Sequence, residues 1–257
     1  ILNNNIQHHY HDSIMYQQSL YIGTGFQSHL FNNYSTTFGC IKREIFSNNS
    51  GKNSIIIKQI SIKFMYDYDS RDIKIDPTSG MLWGLNYSLD WGLNTSPTIY
   101  KIEYFKNAHL LSPAWKFEPV FTYSLNIVHY WSDDYFPYFY HEYLGGEKFV
   151  RGYSPHPDEN GDFSDLIEVD NLIYQSLESQ FTIFPKKDMG GVELGIDGLL
   201  FLDIGVGAEI NKTIKLKNYL LGFGVGLKFF MSGFGYIGID LGFNPSGKMK
   251  IHLNDSD

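Results

Sequence analysis

The feature that most constrains this chain is a period of two in its apolar residues, with one face of each segment greasy and the other small or polar. In residues 192–206, Val192, Leu194, Ile196, Leu200, Leu202, Ile204 and Val206 share a phase, opposed by Glu193, Gly195, Asp197, Asp203 and Gly205. In 219–229, Tyr219, Leu221, Phe223, Val225, Leu227 and Phe229 oppose Gly222, Gly224, Gly226 and Lys228. In 236–243, Ile237, Ile239, Leu241 and Phe243 oppose Tyr236, Gly238, Asp240 and Gly242. Successive side chains alternate between two faces in a strand, not in a helix. Weaker versions of the pattern place further strands at about 15–26, 34–46, 54–67, 81–91, 98–106, 117–131, 171–184 and 248–253, which makes eleven. No long segment holds a 3.6-residue period, so the fold class is all-β.

Alternation alone does not say which face is the core, because a soluble β-sandwich also alternates. The polar face here is unusually small, with three glycines in one strand and two in the next. Glycine weakens a strand, and its use implies that something packs closely against that face. Aromatics gather near strand ends, in Tyr130, Trp131, Tyr135, Phe136, Tyr138, Phe139 and Tyr140, where the interfacial girdle of a membrane barrel would lie. An antiparallel transmembrane β-barrel, with its apolar face toward lipid, explains this sidedness better than a sandwich. No run of 18 apolar residues exists to form a transmembrane helix, but strands cross a bilayer in about 9–11 residues.

The net charge of −8 and the lack of a basic stripe exclude the electrostatic footprint of a nucleic-acid binder. The single cysteine, Cys40, cannot form an intrachain disulfide, and no adjacent base marks it as a nucleophile. His8, His9 and His11 have metal-like spacing but sit in an Asn-rich opening, so residues 1–14 are read as a disordered or loop segment and 15–257 as the barrel. Glu193, Asp197 and Asp203 form a carboxylate column best read as inward ladder charges. No metal site, cofactor site or Ser–His–Asp arrangement stands out.

The connections alternate between short and long, and the longest, 132–170, contains "YLGGEKFVRGY". Gly145, Gly146, Val150, Arg151, Gly152 and Tyr153 lie in it. This block resembles the Gly-Gly…Val-Arg-Gly-Tyr/Phe signature of the outer-membrane assembly and translocation barrel superfamily that includes the BamA, TamA, Sam and Toc proteins. Three flanking blocks agree in order: Pro77, Thr78 and Gly80 in an Asp-rich strand end, the Phe201-x-Asp203-x-Gly205 strand, and the glycine-alternating strand at 222–226. The resemblance covers about residues 34–253. It implies a barrel of 16 strands, of which the eleven read here match the sixth to the sixteenth, with the earlier strands and periplasmic POTRA domains outside this chain. The final residues lack the family's terminal aromatic, which suggests a fragment or a divergent member.

The resemblance further implies that 132–170 folds back into the lumen and that Arg151 meets Asp203. The alternation independently puts Asp203 on the polar phase, and Glu178, in phase with Ser176 and Gln180, is a second candidate partner. An arginine taken out of water loses several kcal/mol of solvation. A carboxylate at ~4 Å returns about 4 kcal/mol at an effective dielectric near 20 and can be held bidentately.

The function implied is non-enzymatic: assisting insertion of outer-membrane proteins or moving polypeptide across the outer membrane. The implied partners are the lipid bilayer, client outer-membrane proteins or secreted polypeptide, POTRA domains and accessory lipoproteins. The implied location is the outer membrane of a Gram-negative-type bacterium, ahead of an organelle. Two alternatives stay open: a barrel anchoring or exporting a fused passenger domain, and a soluble ligand-binding β-protein.

Overall fold

The computed structural model of the chain describes residues 2–10, 13–30, 32–48, 54–113, 118–137, 140–155, 168–233 and 235–255. Twelve strands form one antiparallel sheet: β1 (Leu2–Tyr10), β2 (Ser13–Leu30), β3 (Asn33–Asn48), β4 (Ser54–Asp69), β5 (Ser79–Gly92), β6 (Ile99–Leu111), β7 (Val120–Ser132), β10 (Asn171–Asp188), β11 (Glu193–Ala208), β12 (Leu220–Met231), β13 (Gly235–Phe243) and β14 (Met249–Asp255). They neighbour one another in chain order. Two short strands, β8 (Glu142–Tyr143) and β9 (Glu168–Val169), pair separately inside the β7–β10 connection. Among the described residues no ladder joins β1 to β14, so the sheet is open.

All eleven strands expected from alternation are present, and β1 is an addition. Residues 1–14, expected to be disordered or loop, instead supply β1 and the first residues of β2, paired from Leu2 with Leu20 to Tyr10 with Ser13. The sequence "LNNNIQHHY" carries almost no alternation. Its pairing runs through main-chain hydrogen bonds, which every residue but proline offers, and periodicity cannot reveal that. The side chains of His8, His9 and His11 lie outside the described residues.

The sheet has its polarity inverted relative to a soluble protein. On β11, Leu200, Leu202 and Ile204 are 50%, 41% and 43% exposed, whereas Asp203 between them is fully buried. On β12, Phe223, Val225, Leu227 and Phe229 are exposed, and on β13 so are Ile237 and Ile239, while Asp240 is buried. Contiguous exposed apolar surface on this scale marks contact with another apolar phase. The soluble sandwich requires the opposite sidedness, so this arrangement overturns that alternative.

Aromatic residues collect on the sheet at two levels. Trp83 packs near Tyr66, Tyr68 and Tyr104 beside the β4–β5 turn, and Trp131 stacks on Tyr100 toward the opposite end, near exposed Trp91. Trp83 and Trp91 are separated by about 26 Å of strand at ~3.3 Å per residue, close to the height of an outward apolar band. The expected girdle from Tyr130 to Tyr140 is only partly of this kind. Tyr130, Phe136 and Tyr140 pack in a chain, with ring centroids 5.5 and 5.8 Å apart, and His141 lies against Phe136. Their role is to seat the long loop, because the strand turns inward after Ser132. Tyr138 and Phe139 lie outside the described residues.

The stem of that loop is fixed by one imidazole. His141 Nδ1 donates to Asp170 Oδ1 at 2.5 Å, its Nε2 is 3.5 Å from Glu168, and Asp170 Oδ2 accepts from the backbone N–H of Ile210 at 2.6 Å. Burial disfavours the imidazolium, but the hydrogen bond and charge of Asp170, joined by Glu168 and Glu209, outweigh it and raise the His141 pKa above its ordinary value.

Two outcomes follow from this architecture. Leu200→Arg on the outward face of β11 should cost ~2–4 kcal/mol of folding stability, read by denaturant titration of the full-length protein in liposomes. The His141 contribution is complete below the unfolded-state pKa and is lost as pH rises through the higher folded-state value. Protease sensitivity of 133–170 should therefore increase on alkalinisation, and His141→Gln should flatten that dependence.

Candidate functional site

The site forms where the 133–170 loop enters the concave side of the sheet. Its tip is built by backbone hydrogen bonds: Val150 N–H donates to Leu144 C=O at 3.0 Å, Gly146 N–H to Val150 C=O at 3.1 Å and Phe149 N–H to Gly146 C=O at 3.3 Å, and a parallel bridge joins Gly145 and Val150. This compact knot pushes Leu144, Phe149 and Val150 into full burial, in a cluster with Val128, Val169, Leu172 and Leu220. Each such side chain contributes on the order of 1.5–3 kcal/mol when removed from water. The apolar half of the loop tip is thus a small core on an otherwise polar inner face.

Arg151 follows immediately and is 4% exposed. Its Nε and one terminal nitrogen grip Asp203 in a two-pronged fork at 2.8 and 2.9 Å, and its backbone N–H donates to the same carboxylate at 3.1 Å. The other terminal nitrogen donates to Asp240 at 2.9 Å, and Glu178 lies 2.7 Å from the guanidinium. The guanidinium carbon, Cζ, sits over the Phe201 ring, 3.6 Å from its centroid. Ser176 Oγ donates to Asp203 at 2.7 Å and Tyr174 lies 3.4 Å from it. Three strands, β10, β11 and β13, therefore converge on one cation from the loop.

Register explains the convergence. Ser176 faces Asp203 across the β10–β11 pair, and Asp203 faces Gly222 across β11–β12. The loop backbone lies over this row, and a Cβ at position 222 would come 1.9 Å from the Arg151 carbonyl oxygen, so only glycine fits. Gly152 adopts φ +95°, a left-handed conformation, and a Cβ there would collide with the backbone of Phe243. The small inner face read in the sequence is the floor on which the loop rests.

Every sequence-selected residue of the motif lies at this site. Gly145, Gly146 and Val150 form the knot, Arg151 carries the charge, Gly152 lies against β13, and Tyr153 Oη donates to Leu221 C=O at 3.3 Å. Asp203 and Glu178 both reach the guanidinium. Sequence reasoning missed Asp240, although its signal was present: it lies on the polar phase of its strand. His252 and Asn244, which contact Gly152, were not selected, because a lone histidine and a turn asparagine carry no pattern.

A cavity of about 770 Å³ lies beside the cluster, lined by Arg151, Glu178, Glu103, His109 and Tyr236 among others. The β4–β5 turn closes on it from the other end. Asp72 accepts from Thr78 through both its backbone N–H, at 3.0 Å, and its hydroxyl, at 2.6 Å, which accounts for the Pro77-Thr78 turn chemistry. Asp76 then crosses the interior to Gln180 at 2.9 Å, Lys186 at 3.0 Å and Tyr236 at 2.5 Å.

Comparison with known proteins bears on the fold and the family. No curated protein matches the chain in sequence. The structure is similar to BamA from Haemophilus ducreyi lacking POTRA domains 1–3, with a TM-score of 0.68 and 12% identity over 94% of this chain and 53% of that one. The chain thus spans about half the length of that protein. The model of the Omp85 superfamily domain matches residues 6–252, and on that match, over nearly all of its length, the chain belongs to the Omp85 superfamily.

Proposed function

We propose that this chain is the barrel part of an outer-membrane factor that assists insertion of other β-barrel proteins, or passage of polypeptide, in a Gram-negative-type bacterium. The reading involves no covalent chemistry and no cofactor: the polar groups described at the site are engaged in holding a loop. Client outer-membrane proteins or secreted polypeptide, the bilayer, and POTRA domains and accessory lipoproteins beyond this chain are its partners. Family membership and the barrel-type fold support it. The observation that carries the site is the burial of Arg151 among Asp203, Asp240 and Glu178. In this role Arg151 locks the loop to the wall, Asp203 is its principal counter-charge, and residues 15–257 act together with β1 as one barrel unit.

The activity is tested by reconstituting the full-length protein in liposomes and following the folding of an added outer-membrane protein. Folding faster than in empty liposomes is expected, and equal rates would reject the assembly reading. For the lock, Arg151→Ala strands buried carboxylates and should cost ~3–5 kcal/mol. Asp203→Asn should cost less, since Asp240 and Glu178 still face the guanidinium. The double variant should lose little beyond Arg151→Ala, and strictly additive losses in this cycle would refute the lock. Gly222→Ala leaves every charge in place yet should dislodge the loop, seen as increased proteolysis within 144–155.

A further inference from the structure

The loop tip is tied not only to the wall but also to the hairpin formed by β13 and β14. Gly152 N–H donates to His252 Nε2 at 3.1 Å, and Gly152 C=O accepts from Asn244 Nδ2 at 3.3 Å. His252 and Asn244 are each 3% exposed. Asn244 is oriented by its own turn, since its Oδ1 accepts from Ser246 N–H, Ser246 Oγ and Lys248 N–H, which leaves the amide nitrogen for Gly152. His252 lies directly across from Asp240 in the β13–β14 register. One glycine thus has both its polar backbone groups held by one hairpin, while the adjacent Arg151 reaches β10, β11 and β13.

We propose that His252 is a positioning residue that fastens β14 to the loop tip, and that it does so as a neutral imidazole protonated on Nδ1. The donor at Gly152 dictates this form, because Nε2 must present its lone pair to accept an N–H. Nδ1 faces the loop's Glu147, 3.7 Å away. The other charged groups around the ring are Arg151 from the loop and Asp240 from β13. Protonation would set an N–H against an N–H and release this tie. The inference deepens the lock reading and rests on the loop tip being held inside the barrel.

The test uses the full-length protein in lipid nanodiscs. His252→Phe keeps a ring but removes the acceptor, whereas His252→Gln places an amide oxygen near the Nε2 position and does not titrate. Amide exchange over 144–155, corrected for intrinsic rates, should be about tenfold faster in the Phe variant and near wild type in the Gln variant. Acidification should loosen the wild-type loop tip and leave the Gln variant unchanged. Imidazole nitrogen spectra should show Nε2 unprotonated in the signal that disappears in His252→Gln. An Nε2-protonated signal, or a Phe variant that exchanges like wild type, overturns the proposal. Asp203→Asn separates the two ideas: if it loosens 144–155 and His252→Phe does not, only the His252 inference fails. If Asp203→Asn has no effect, the lock reading fails and this inference falls with it.

Discussion

The arrangement depends on the burial of a single positive charge. Arg151 gives up almost all contact with water, and an uncompensated guanidinium in such a place would expel the loop. Compensation comes from three strands that are distant in sequence, so the charge fixes several things at once. It sets which loop residue enters the interior, how deep it goes, and how β10, β11 and β13 are phased relative to one another. The neighbouring Leu144, Phe149 and Val150 add burial but little direction. A hydrophobic plug could slide or rotate by a residue, whereas a fork on Asp203 with a third bond to Asp240 admits one placement.

That placement is possible only because the sheet is inverted. Apolar side chains face out, and the inner face is left to glycines, carboxylates and hydroxyls. Gly222 is where both requirements meet: in the strand pattern it is a small residue opposite a greasy face, and in the structure it is the space taken by the Arg151 carbonyl. The cost of glycine in a strand is offset by what rests against it. The same logic places the β4–β5 turn, which brings Asp76 across the interior to Lys186 and Tyr236 without a hydrophobic contact surface to guide it.

Much of this could be read from residues alone, for identifiable reasons. Strand phase is a local property, so the sides of Asp203, Glu178 and Asp240 were all visible. Pairing between distant residues is not local. Asp203 was singled out because a motif drew attention to it, while Asp240, with the same phase and the same burial, was passed over because nothing nearby distinguishes it. β1 was missed for the converse reason, since backbone pairing leaves no mark on a sequence rich in asparagine and histidine. His252 shows the limit most sharply. Its importance comes from one N–H donated by a residue a hundred positions away, and no spacing rule connects the two.

The balance of charge at the site also bears on how a lock of this kind can work. Three carboxylates face one guanidinium, two of them fully buried. While Arg151 is present, their mutual repulsion is outweighed by attraction to a common centre. If the arginine withdraws, Asp203 and Asp240 are left buried, close together and of like sign, a state that a low-dielectric interior opposes strongly. Intermediate positions are disfavoured as well, because partial withdrawal weakens the attraction before water can reach the carboxylates. The cluster therefore favours the fully seated loop over a partly withdrawn one.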